Sequence, residues 1–71
     1  MVAETILAEA TVGDEIIILR RDDTLESNTP YTTEVWSEGM LMGAPRSYGD
    51  FAEALKLFLT EVEGRIIARE N

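Results

Sequence analysis

An α+β fold, a four-stranded antiparallel sheet (a meander) with one C-terminal amphipathic helix packed on one face, is predicted by three features of the sequence. Residues 5–12, TILAEATV, alternate in character and meet, across Gly13-Asp14, a run of β-branched and aliphatic side chains, EIIILRR. Alternation is the signature of a half-buried strand, and Gly at the first central position suits a type II′ hairpin turn. Residues 31–38, YTTEVWSE, alternate again and are rich in β-branched and aromatic residues. From Asp50 the apolar spacing changes to three and four, the stripe of an amphipathic helix.

Each element has a competitor. Ala, Leu and Glu are good helix formers, so residues 5–12 could coil, but the turn and the β-branched run after it favour the strand. Residues 22–30, DDTLESNTP, collect turn formers with little apolar content and read as a loop. Glu38-Gly39 reads as a turn into a short fourth strand from Met40 to about Ala44, ended by Pro45, although Gly39 also allows a longer loop. In the helix, Phe51, Ala54, Leu55, Phe58, Val62 and Ile66 form the apolar stripe, with Asp50 as N-cap and Glu53 completing a capping-box-like pattern. Gly64 could end it and release RIIARE as a fifth strand. The spacing of Glu61, Arg65 and Arg69 along one face favours a helix to about residue 68.

The chain reads as one domain over residues 1–71, near the lower size limit for folding without a metal or disulfide. There is no cysteine, and no apolar run approaches the roughly 20 residues that span a bilayer. The N-terminal stretch has no basic region, so a cytoplasmic, unprocessed protein is expected. Fourteen acidic against six basic residues leave a formal charge of −8, which repels nucleic acid phosphates and anionic membranes. Residues 1–49 hold nine acids and three bases, so most of the excess belongs to the sheet.

EIIILRR raises the functional question. Four large aliphatic side chains in a row give a strand two apolar faces, and one helix covers one of them. A two-residue loop at Gly13-Asp14 opposes residues whose numbers sum to 27, so Ile6, Ala8, Ala10 and Val12 face Arg21, Leu19, Ile17 and Glu15. Small alanines opposite large aliphatics leave room for the helix there. The other face carries Leu7, Ile16 and Ile18, joined by Trp36 and Leu41 from a Glu38-Gly39 hairpin, with Glu9, Glu34, Glu38 and Arg20 around them. An apolar centre with a polar rim is the anatomy of an interface. Burying five such side chains is worth on the order of 10 kcal/mol gross, before association entropy is subtracted. A homodimer, or a complex with another protein, is therefore expected.

Chemistry finds little support. Without histidine or cysteine the usual nucleophile and base pairs are missing, and an enzyme is not expected. Asp22, Asp23 and Glu26 lie close together but lack the ligand spacing of an EF-hand, so neither metal nor cofactor is expected. Residues 39–49, GMLMGAPRSYG, combine Met, Arg and Tyr, residue types common at adaptable binding surfaces, though they equally suit a strand end whose methionines fill the core. Two functional classes remain. One is a small acidic interaction module that regulates or inhibits a partner by occupying its surface. The other is an inhibitor of a basic nucleic-acid-binding protein, with Glu9, Asp22, Asp23, Glu26, Glu34 and Glu38 standing in for phosphates. Small acidic proteins of mobile elements, including inhibitors of CRISPR defence, resemble the chain in size and charge only.

Overall fold

The structure, a computed structural model, describes residues 4–22 and 28–70. It is a two-layer α+β fold built from β1 (Glu4–Val12), β2 (Glu15–Asp22), β3 (Tyr31–Ser37), β4 (Met40–Leu41), β5 (Arg46–Tyr48) and α1 (Phe51–Glu70). β1, β2 and β3 pair antiparallel in sequence order, and β4 and β5 both pair antiparallel with β3. The helix lies across one face of this sheet.

The first hairpin keeps the predicted register from Val12↔Glu15 to Ala8↔Leu19. Gly13 has φ 63° and Asp14 does not share it, which matches a turn needing left-handed backbone at its first central residue only. The register then slips: Ile6 faces Arg20, not Arg21, and Leu7 is the extra residue of a β-bulge. A bulge leaves two residues of one strand opposite one of the other, so alternation restarts one position out of phase. Ile6 therefore moves to the face the helix does not cover. Leu7 moves to the helix side, where it shares a shallow recess with Arg21, Tyr31 and Phe51.

The fourth strand also departs from expectation. Leu41 pairs with Trp36 as predicted, but regular pairing stops there and resumes with Arg46 opposite Thr33. Four residues, 42–45, thus stand opposite two on β3. The Met42 amide still donates to the Val35 carbonyl at 2.7 Å, and Gly43 turns the chain out with φ 71°. Pro45, with no N–H to offer, interrupts this strand without ending it, which only an edge strand tolerates.

The core lies between the layers. Ile17 and Leu19 are fully buried, with Val12, Ala54 and Phe58 beside them and Ala8, Ala10, Val35, Leu55 and Val62 packed around. Ala54, with no side chain beyond Cβ, lets α1 approach closely. The helix starts as predicted: the Glu53 amide donates to Asp50 Oδ2 at 3.1 Å and the Ala54 amide to the Asp50 carbonyl at 3.0 Å. It runs straight through Gly64 to Glu70, so residues 65–69 are helix and not a strand. Arg65 explains part of this, bridging Glu61 one turn back and Glu15 of the hairpin. The Arg69 guanidinium lies over Gly13, in the space a Cβ would take. At the ends of the apolar stripe cover is partial: Phe51 packs its ring against Tyr31 of β3 at 5.6 Å between centroids yet stays exposed, and Ile66 is exposed as well.

Two stability changes follow. Glu38 has φ 52° and Gly39 φ 79°, a turn with both central residues left-handed, where a glutamate is strained and asparagine is favoured. Glu38→Asn is expected to raise stability by about 0.5 kcal/mol, measured as a higher urea midpoint at unchanged slope. Nothing lies within 4 Å of a Cβ built on Gly64. Gly64→Ala should therefore add about 1 kcal/mol through helix propensity alone, and a fall in melting temperature would count against an unbroken helix.

Candidate functional site

The candidate site is the sheet face turned away from α1. Alternation along β2 puts Ile16, Ile18 and Arg20 there, and pairing adds Glu9, Thr11 and Ile6 from β1, Glu34 and Trp36 from β3, and Leu41 from β4. Of the five interface residues read from the sequence, Ile16, Ile18, Trp36 and Leu41 share this face. Leu7 does not, because of the bulge. Ile6, 51% exposed, takes its place.

Cover is uneven. Ile18 is only 9% exposed although it takes no part in the cluster under the helix. It sits in the middle of the open face, between Glu9 on β1 and Glu34 on β3, with Ile16 and Arg20 next to it on β2. Ile16 and Trp36 are half-buried, and Leu41 and Ile6 are exposed. The sheet's own side chains therefore shelter Ile18, and the accessible apolar surface runs around it through Ile6, Ile16, Trp36 and Leu41.

One end of the face is tied by charge. Arg20 Nε donates to Glu34 Oε1 at 2.7 Å and its Nη1 to Glu4 Oε2 at 3.2 Å, linking β1, β2 and β3. The same Glu34 oxygen accepts the Trp36 indole N–H at 3.2 Å, which fixes the ring along β3. Both partners of the Arg20–Glu34 pair are largely out of solvent, so this bond is stronger than a typical surface ion pair.

Among the described residues, the acids proposed as phosphate mimics are spread over three strands and a turn. Glu9 is exposed on β1, Asp22 ends β2, and Glu38 occupies the β3–β4 turn. Glu34 is engaged by Arg20 and Trp36. Asp23 and Glu26 lie outside the described residues. Among the described residues no group of three or more acidic side chains is arranged to hold a metal ion. The open face nevertheless has one sign: Glu4, Glu9, Asp22 and Glu34 against Arg20 give a net −3.

No helix among the described residues is long and apolar enough to cross a membrane. Comparison with protein-family models, with curated proteins and with solved structures finds no match.

Proposed function

We propose that the chain is a small acidic protein-interaction module of the cytoplasm that regulates or inhibits a partner by laying its open sheet face on it, and that it self-associates through that face. The observation that carries this is one sheet face left uncovered by the helix, with Ile6, Ile16, Trp36 and Leu41 set in a charged rim. An apolar centre enclosed by polar residues excludes water at its middle and sets orientation at its edge.

The net −3 of the face favours a second reading, in which the occupant is a basic, nucleic-acid-binding surface and the carboxylates of Glu4, Glu9 and Asp22 meet its lysines and arginines. Salt separates the two. Two copies face to face bring like charge together, so self-association strengthens as salt screens the repulsion. Binding to a basic partner weakens instead. Sedimentation equilibrium of the pure chain at low and high salt is expected to show a dimer that tightens with salt. A monomer at millimolar concentration in both would dispose of self-association and leave the basic partner, to be sought by affinity capture at low salt.

A further inference from the structure

We infer that a second site, on the helix side of the sheet, binds a small amphipathic monoanion: an apolar body carrying one carboxylate. Where residues 42–45 leave the ladder, a cleft of about 330 Å³ opens between α1 and the broken edge strand, floored by Thr33 and Val35. This volume lies at the small end of ligand pockets, which run from roughly 300 to 1,000 Å³. It suits a small molecule and excludes a packed helix or strand.

Its walls supply both halves of an amphipathic ligand's needs. Leu57 of the helix and Met42 and Tyr48 of the edge offer apolar and aromatic surface. Arg46 and Arg65 line the same cleft, and Glu61 is the only acid of its lining among the described residues. Arg65 is already committed to Glu15 and Glu61. Arg46 forms no ion pair among the described residues, and it projects from the residue at which pairing with β3 resumes. A planar guanidinium beside an apolar recess pairs with a carboxylate in two-pronged fashion. The surrounding negative field excludes polyanions and leaves the monoanion as the species that fits. The Met, Arg and Tyr of residues 39–49 thereby acquire a common task, which the open sheet face does not give them.

The test is titration of the nitrogen-15-labelled full chain with 4-phenylbutyrate and, separately, with its uncharged alcohol, 4-phenylbutanol. Saturable amide shifts are expected in residues 42–48 and 57–65. The acid should bind about tenfold more tightly than the alcohol, and Arg46→Gln should abolish that preference while leaving the alcohol's affinity unchanged. Arg46 is exposed, so the variant keeps the fold, and amides outside the cleft report on that directly. The proposal is overturned by equal affinities, by an acid preference that survives in Arg46→Gln, by shifts centred on Ile16, Ile18 and Trp36, or by no saturable binding.

Discussion

Leu19→Ala is expected to remove most of the protein's stability. Leu19 is fully buried on the helix side, opposite Ala8 on β1 and Thr33 on β3, and belongs to the cluster that joins the two layers. Truncating a buried leucine costs about 2–5 kcal/mol, because transfer energy is lost and the cavity collapses only in part. Here collapse is hindered: the facing residue is already an alanine, and the strand on either side is held by two ladders. Marginal stability for a chain of this size is about 5 kcal/mol, so the loss is comparable with the whole. Circular dichroism in urea should show the midpoint falling by more than about 1 M at unchanged slope. A shift below about 0.3 M would mean that the layers are held together elsewhere.

Trp36→Ala should produce the largest loss of association. The indole is half-buried in the single chain and flanked by Ile16 and Leu41 on neighbouring strands, so a partner seated on the face must finish covering it. Truncating a central tryptophan of an interface commonly costs 2 kcal/mol or more, about thirtyfold in dissociation constant. The fold loses one indole hydrogen bond to Glu34, while Arg20 continues to hold that carboxylate. Leu59→Ala is the control: Leu59 is 55% exposed on α1, in the layer on the other side of the sheet. Sedimentation equilibrium should show the proposed self-association weakened by Trp36→Ala and untouched by Leu59→Ala. The reverse pattern would move the interface to the helix and remove the case for the sheet face.

The hairpin register near Gly13, the Trp36–Leu41 pairing and the Asp50 cap were legible because each is a local matter. A glycine with its backbone turned left-handed sets which residues oppose for several positions, and period-two alternation then assigns faces. The cap needs only a carboxylate one residue before the helix. Reach was the limit. The slip at Leu7 lies six residues from the turn, where Ile6, Leu7 and Ala8 stand as three apolar residues in a row, so that period-two alternation does not choose which of them faces the helix. Pro45 and Gly43 are strand terminators by ordinary propensity, yet pairing resumes at Arg46 because β3 extends beyond them with unpaired groups to satisfy.

By itself the amino-acid order determined the two-layer architecture, the sense of each turn and the surplus of apolar surface over one helix's capacity, since all three follow from periodicity and local backbone preference. Only the tertiary structure decided which side chains make up that surplus. A bulge exchanges Ile6 for Leu7, Ile18 is sheltered by its cross-strand neighbours, and the cleft beside Arg46 exists because an edge strand leaves its ladder for four residues and a helix wall stands opposite. Those outcomes depend on contacts between segments far apart in the chain, whose energies no short window of sequence contains.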